Sequence, residues 1–277
     1  MTKSGFIELR YGYLCHDGHV MKVQATDETP LEAAPRRTLG TVFWTVFGTI
    51  VLIMSTIVLG FLTSILSWLP PRGRIFNAFA RLWSRIWLSS SRVDVRASFE
   101  KPLDPGQGYV FMANHQSWYD IPALLVSLPG QTRFMAKKGL FQIPFLGWAL
   151  RAGGFIPVDR HNRTSARESF ASAVQSLRGG ASVLLFPEET RSPDGQMLPF
   201  KKGGFLLALR CGFPIVPIGI AGTREIRPKG SAWIQPGKVS VRYGTPIDIR
   251  GFHLADRGAL MADVRDQISR LSQPPGG

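Results

Sequence analysis

The sequence predicts an α/β protein with a mixed, mostly parallel central sheet flanked by helices, preceded by an N-terminal membrane-anchoring helical segment. Three observations carry this prediction. From Val93 onward, short apolar runs alternate with helical patterns, as expected for a sheet with helices packed on it. Residues 41–70 contain no ionisable side chain. The chain has 277 residues, of which 44% are hydrophobic, so one sizeable core can form.

The first domain is an N-terminal extension, residues 1–40, to which we assign no role. Its five basic and five acidic side chains cancel. Cys15, His16, Asp17 and His19 lie close together, but a surface loop is the simpler interpretation, because metal sites need a more specific spacing. With only two cysteines in the chain, the sequence predicts no disulfide framework, no metal site, no cofactor and a reducing compartment.

The second domain is a membrane anchor at residues 41–92. A helix over residues 41–70, at about 1.5 Å per residue, exceeds the hydrocarbon core of about 30 Å. Such a helix could cross the bilayer or bend back within it, and the sequence leaves both open. Residues 72–92 place Trp83 and Trp87 on an apolar stripe with interleaved arginines, which predicts an amphipathic helix in the headgroup layer.

The net charge of +14 arises entirely after residue 40. Nucleic acid, anionic lipid and phosphorylated small molecules would each bind such a surface. No recognised nucleic-acid motif is present, so we expect membrane lipids as partners and no nucleic acid. Five arginines follow the apolar run and only Arg36 and Arg37 closely precede it, which predicts that the part of the chain after the run faces the cytoplasm, with a bacterial inner membrane as the expected location.

The third domain, residues 93–277, carries the predicted sheet. Apolar runs bounded by turn residues predict five strands, and capping hydroxyls and terminal glycines mark two helices. The strands are predicted at 108–114, 132–138, 181–188, 214–220 and 238–244, and the helices at 164–178 and 201–211.

The segment FMANHQSWYDI raises the question of chemistry. On one continuous helix, His115 and Asp120 would point about 140° apart, so one of them must lie in a turn for the two to meet. We expect His115 in the loop after a strand and Asp120 in the first turn of the next helix. A carboxylate on one imidazole nitrogen leaves the other nitrogen as a general base. The spacing alone is common, so it needs further support.

That support comes from two later loops. GGFIPVDR places Arg160 after an apolar turn, and FPEETRS places Glu188, Thr190 and Arg191 after a predicted strand. Arginine binds phosphate through two parallel hydrogen bonds, and loops at strand ends are where α/β sheets hold ligands. Each residue alone could equally form a surface ion pair.

Together, in this order, these blocks resemble the motifs of the glycerolipid acyltransferase family, most closely its lysophosphatidic acid acyltransferases. The matching segments are ANHQSWYDI, AKKGLFQIPFLGWALRAGGFIPVDR, LLFPEETRSPDG and IVPIGIAGTREI, and RPKGSAWIQPGKVSVRYGTPI resembles the family's closing segment. The resemblance covers about residues 90–250. It implies that His115 is the general base with Asp120 as its partner and that Pro217 lies near the acyl donor. The implied phosphate-binding residues are Lys137, Arg160, Glu188, Thr190 and Arg191.

One position departs from the family pattern. The third block usually reads Phe-Pro-Glu-Gly-Thr-Arg, and here Glu189 replaces the glycine. A negative charge beside a phosphate site could lower acceptor affinity, change the acceptor or point away. Because glycine is the residue that favours positive φ, the substitution predicts that φ at this position is less often positive.

The resemblance implies transfer of an acyl chain from acyl-CoA or acyl-carrier protein to the sn-2 hydroxyl of lysophosphatidic acid, giving phosphatidic acid. Another lysophospholipid, glycerol 3-phosphate or a non-glycerol lysolipid is the alternative acceptor. A protein that only binds anionic membrane lipid would keep the arginines without needing a His–Asp pair. A serine nucleophile at Ser117 is disfavoured, since no G-x-S-x-G surrounds it.

Overall fold

The computed structural model describes residues 13–16, 19–22, 38–66, 72–104, 106–159 and 163–274. The chain divides into two compact units, Met1–Thr38 and Leu39–Gly277. In the first unit, β1 (Tyr13–His16) pairs with β2 (His19–Lys22) as an antiparallel hairpin. The side chains of this unit, including the Cys/His/Asp group considered as a metal site, lie outside the described part of the protein.

The second unit contains two long helices followed by the sheet. The long helices are α1 (Leu39–Leu66) and α2 (Arg72–Ser90). The strands are β3 (Val93–Phe99), β4 (Val110–Ala113), β5 (Thr132–Lys137), β6 (Ile156–Val158), β7 (Ser182–Leu185), β8 (Ile215–Ala221) and β9 (Gly237–Tyr243). The remaining helices are α3 (Asp120–Ser127), α4 (Leu146–Ala152), α5 (Arg163–Arg178), α6 (Gly203–Cys211), α7 (Thr223–Ile226) and α8 (Arg257–Leu271).

The seven strands form one sheet in the order β3-β9-β8-β4-β7-β5-β6. Every neighbouring pair is parallel except β8 and β9, which are antiparallel. The predicted mixed, mostly parallel sheet is therefore confirmed, with all five predicted strands in place. Strands β3 and β6 were not predicted, because β3 is a largely exposed edge strand and β6 has only three residues. Both helices predicted within residues 93–277 are present. Gly212, which directly follows α6, has a φ of 70° and caps the helix.

The sheet separates two apolar layers, as the alternation along β4 shows. Phe111 and Ala113 belong to the layer that includes side chains of α2 and α3, whereas Val110 and Met112 belong to the layer with α5, α6 and α8. Successive strand side chains point to opposite faces, so a strand buried on both faces is continuously apolar. This burial fixes the carboxyl end of β4, from which the His115 loop departs.

Helix α1 lies antiparallel to α2 and contacts the sheet domain, residues 93–274, along much of its length. Thr45 Oγ1 accepts the backbone N–H of Ile234 at 3.0 Å, and Thr56 Oγ1 accepts the indole N–H of Trp83 at 2.9 Å. The other side of α1 exposes large apolar side chains, among them Phe43, Phe47, Ile50, Met54, Val58, Phe61 and Ile65. By length and composition, α1 is the helix that could cross a membrane among the residues described.

Candidate active site

His115 and Asp120 meet in the geometry expected from their spacing. His115 lies in the loop after β4, and Asp120 is the first residue of α3. The distance from His115 Nδ1 to Asp120 Oδ2 is 2.7 Å, and the aspartate side chain is completely buried. Because the carboxylate accepts a hydrogen bond from Nδ1–H, Nε2 is left as the proton acceptor. The pair can therefore act as a general base.

Backbone hydrogen bonds hold this loop rigidly around Asp120. Its Oδ2 also accepts the backbone N–H groups of Gln116 at 2.8 Å and Ser117 at 2.9 Å. Just before the loop, the buried Asn114 side chain donates to the carbonyl of Ile220 at 2.9 Å and accepts its N–H at 2.8 Å. Asn114 thus extends the pairing of β4 with β8 by one residue and sets the point where the loop begins.

Glu188 holds the same loop from the other side. Its Oε1 accepts the backbone N–H of His115, and its Oε2 accepts that of Leu198, each at 2.8 Å. The side chain is only 3% exposed, and burial raises the pKa of Glu188 above its usual value. Arg265 on α8 binds the carbonyls of Met197 and Leu198 at 2.6 Å. Because both carboxylate oxygens of Glu188 accept backbone N–H groups, the geometry favours a positioning role for Glu188 over the direct phosphate contact implied by the sequence.

Further contacts of the His115 loop come from the third block and from Arg227, which follows the fourth block. Ser192 donates its backbone N–H to the carbonyl of His115 at 2.8 Å. The Phe186 ring stacks on the imidazole with centroids 4.0 Å apart. Ser117 is completely buried, and its hydroxyl donates to the carbonyl of Arg227 at 2.8 Å. Ser117 is thus engaged in the loop structure, in agreement with its rejection as a nucleophile.

The expectation for Glu189 was wrong. Its φ is 60°, in the left-handed region that glycine adopts freely and other residues adopt at a cost of about 1 kcal/mol or more. The turn between Phe186 and Ser192 keeps this conformation because its ends are fixed, by the Glu188 carboxylate and by the Ser192 hydrogen bond to His115. The half-buried Glu189 also lines the cleft described next.

A cleft of about 1360 Å³ opens beside His115. Its mostly apolar wall includes Leu52, Ile53, Thr56 and Ile57 of α1, Phe79 and Trp83 of α2, and Leu125 and Phe155 of the sheet domain. Polar side chains occupy the rim, including Lys137, Thr190 and Arg191. The cleft lies at the carboxyl ends of β4, β5, β6 and β7, where α/β sheets bind ligands. It combines a general base, cations and room for apolar chains.

Arg191 lines the cleft, and two further cationic residues that do not line it, Arg227 and Lys229, lie close to Arg191. The Arg191 guanidinium lies 4.9 Å from the centre of the Trp118 ring. Burial lowers the pKa of Arg191 from its usual value, the charge of nearby Arg227 lowers it further, and Asp120 partly offsets both. Lys229 donates to the carbonyl of Arg191 at 2.7 Å and approaches Thr190 Oγ1 at 3.4 Å.

One of the residues implied by the resemblance, Pro217, does not line the cleft. Pro217 is buried in β8 opposite Met112 of β4, and it is not among the residues that line the cleft. Its implied position near the acyl donor remains a prediction. Arg160 lies outside the described residues. Lys137, by contrast, is exposed on the cleft rim.

Sequence reasoning missed several residues that shape the site. Asn114 and Phe186 stood inside the recognised blocks but carry no charge, so they gave no chemical signal. Lys229 follows the fourth block, and only the fold brings it to the third. No group of three or more His, Cys, Asp or Glu side chains that could hold a metal exists within the described portion of the chain.

Comparison with known proteins gives consistent matches. The acyltransferase family model matches residues 93–221. The 1-acyl-sn-glycerol-3-phosphate acyltransferase of Limnanthes alba is 32% identical over 219 residues, which cover 77% of this chain and 76% of that protein. The chloroplastic 1-acyl-sn-glycerol-3-phosphate acyltransferase BAT2 of Brassica napus is 38% identical over 178 residues, covering 64% of this chain and 51% of that protein.

Among solved structures, the crystal structure of the 1-acyl-sn-glycerophosphate (LPA) acyltransferase PlsC from Thermotoga maritima superimposes with a TM-score of 0.73. Sequence identity is 26%, and the match covers 86% of this chain and 98% of that one. Against several curated relatives, including those of Brassica napus and Arabidopsis thaliana, the chain spans about half of their length.

Proposed function

Because the chain belongs to the acyltransferase family that includes the 1-acyl-sn-glycerol-3-phosphate acyltransferases, we propose that it acylates the sn-2 hydroxyl of lysophosphatidic acid to give phosphatidic acid. The acyl donor is acyl-CoA or acyl-carrier protein. The observation that carries this proposal is the 2.7 Å His115–Asp120 contact at the edge of a cleft with an apolar wall and a cationic rim. A protein that only bound lipid would not need the oriented imidazole.

The proposed reaction follows from the tautomer of His115, in which Nδ1 carries the proton and Nε2 is the proton acceptor. His115 Nε2 accepts the proton of the acceptor hydroxyl as that oxygen attacks the thioester carbonyl carbon. The tetrahedral intermediate collapses with loss of the thiolate, which takes the proton back from the imidazolium. The buried Asp120 carboxylate stabilises the imidazolium between these steps. No acyl-enzyme forms, and the buried Ser117 has no part in the proton transfer.

The arrangement of α1 and α2 supports attachment to one face of a membrane. Helix α1 contacts the sheet domain from Thr45 to Gly60. The opposite, apolar side of α1 is therefore the part available to lipid. We therefore propose that α1 lies within one leaflet and does not cross the bilayer. The basic segment after α1 favours the cytoplasmic face, and a bacterial inner membrane is the expected location. Lipid acceptors could then enter the cleft directly from the bilayer.

An acceptor panel tests the function. Purified protein in nanodiscs is offered palmitoyl-CoA or palmitoyl-carrier protein with lysophosphatidic acid, lysophosphatidylcholine, lysophosphatidylethanolamine, glycerol 3-phosphate or 1-monoacylglycerol. Products are identified by mass spectrometry, with His115→Ala as the background. We expect phosphatidic acid as the main product. Product formation only from another acceptor would contradict the proposed substrate, and no thioester consumption with any acceptor would contradict the enzymatic function.

A further inference from the structure

Three cations lie beside the loop that carries His115: Arg191 of the third block, and Arg227 and Lys229 of the segment that follows the fourth block. Lys229 Nζ contacts the carbonyl of Arg191 and lies 3.4 Å from Thr190 Oγ1. Arg227 is joined to the same loop because its carbonyl accepts the hydroxyl of Ser117 at 2.8 Å. The segment after α7 is thus tied to both the first and the third block. It brings the Lys229 ammonium group onto the backbone of Arg191, and the positive charge of Arg227 lowers the pKa of the Arg191 guanidinium.

These charges have no acidic counterpart in the part of the chain that the structure describes. No carboxylate oxygen of the described residues lies within 4.0 Å of a side-chain nitrogen of Arg191, Arg227 or Lys229. The Arg191 guanidinium donates no hydrogen bond to those residues, and Arg227 uses only Nε, which donates to Ser231 at 2.9 Å. Like charges held together destabilise a fold by mutual repulsion. A cluster kept without a counter-charge is therefore suited to an anionic ligand.

The position of the cluster indicates which anion. Arg191 lines the same cleft as His115, and the next residue, Ser192, donates its backbone N–H to the carbonyl of His115 at 2.8 Å, so Arg191 lies near the His115–Asp120 pair. In lysophosphatidic acid, four covalent bonds separate the reacting oxygen from phosphorus, so the two atoms lie no more than about 5 Å apart. The acceptor phosphate must therefore sit close to His115. The phosphates of an acyl donor are separated from the thioester by the long pantetheine arm, so they do not have to lie close to His115.

Resting on the proposed function, we propose that Lys229 and Arg227 complete the acceptor's phosphate site together with Arg191 and Thr190. A phosphate monoester carries close to two negative charges at neutral pH, more than one arginine balances. Arg191 and Arg227 supply planar donor pairs, and Lys229 contributes its charge while fixing the backbone of Arg191. The cluster selects phosphomonoester acceptors over acceptors without phosphate.

Steady-state kinetics of full-length Lys229→Met and Arg227→Met in nanodiscs test this inference. Removal of one charged phosphate contact should raise the KM for lysophosphatidic acid about 10-fold, with the KM for palmitoyl-CoA unchanged. Lys229→Arg and Arg227→Lys keep the charge and should recover most of the loss. Raising the salt concentration should increase the acceptor KM of the wild type more steeply than that of either methionine variant.

Arg227→Met removes the charge without removing a hydrogen bond to the third block, because the Arg227 side chain donates only to the carbonyl of Ser231 among the described residues. Lys101→Met removes an exposed lysine remote from the cluster and should leave both KM values unchanged. An acceptor KM within twofold of wild type in either methionine variant would overturn the inference. So would an equal rise in the donor KM. Wild-type protein that fails to acylate lysophosphatidic acid would instead contradict the proposed function, before any variant is compared.

Discussion

The two sides of His115 are built in opposite ways. On the interior side, the carboxylates of Asp120 and Glu188 are buried and accept hydrogen bonds from the backbone of the loops they join. On the cleft side, Arg191 lines the cleft and has no carboxylate within 4.0 Å among the described side chains. The contrast indicates that the protein fixes its own base before substrate arrives, whereas the substrate supplies the charge that completes the cationic rim.

The largest effect should follow from loss of the base itself. His115→Ala removes the proton acceptor, and we expect turnover to fall by at least about 10³-fold. Thioester consumption by purified protein, measured with and without lysophosphatidic acid, gives this number. Flotation with liposomes provides the control, because membrane attachment depends on α1 and α2 and should not change. Substantial remaining turnover would remove His115 from the mechanism.

Asp120→Asn tests the interior side next. An amide oxygen in place of Oδ2 can still accept the three hydrogen bonds, but the negative charge that stabilises the imidazolium is lost. We expect kcat to fall by about 10²-fold while the KM values for donor and acceptor change little. A variant with wild-type kcat would show that the carboxylate only orients the ring.

Glu188→Gln has a smaller catalytic effect and a distinct effect on stability. Glutamine offers one acceptor oxygen to two N–H donors, which leaves a buried donor unpaired at a cost of about 1–3 kcal/mol. Burial raises the pKa of Glu188 above 4.5 in the folded protein. The folded state therefore holds this proton more tightly, and the free energy of unfolding falls as pH rises from about 4.5 through the raised pKa.

The glutamine variant has no proton to lose at this position. The difference in free energy of unfolding, wild type minus Glu188→Gln, should decrease with pH over that interval and then become constant. Denaturant titration in detergent at several pH values measures it. Parallel curves would show that the carboxyl group titrates at its usual pKa.

The smallest effect concerns the backbone of Glu189. Glu189→Gly and Glu189→Ala both remove the carboxylate, but only glycine adopts φ of 60° without strain. We expect the glycine variant to be more stable than the alanine variant by about 1 kcal/mol, seen as a higher melting temperature. Equal stability of the two variants would mean that the turn relaxes to negative φ when the side chain is shortened.

Much of the fold could be predicted, because buried strands leave a strong pattern. Strand β8 is apolar on both faces, and α6 ends at Gly212, so both were visible from the sequence. The exposed edge strand β3 buries little and therefore carries no such pattern. Its position follows from parallel pairing with β9, a long-range contact that local sequence does not encode.

Residues of the candidate site could be predicted only where an ionisable side chain has its partner nearby in the sequence. His115 and Asp120 are five residues apart, so turn geometry sufficed. Lys229 reaches Thr190 across 39 positions through tertiary packing, which spacing cannot reveal. The φ of Glu189 was predicted wrongly because residue preference was weighed alone, whereas the hydrogen bonds at both ends of the turn determine the backbone.

Helix α2 has a practical consequence for protein engineering. Its Phe76, Trp87 and Leu88 are buried in the same apolar layer as Phe111 of the sheet, and α1 supplies part of the cleft wall. Deleting residues before Val93 to obtain a detergent-free fragment would strip one layer from the sheet and expose it to water. Such a truncation should aggregate, so improved solubility is better sought by replacing the outward-facing apolar side chains of α1 while retaining both helices.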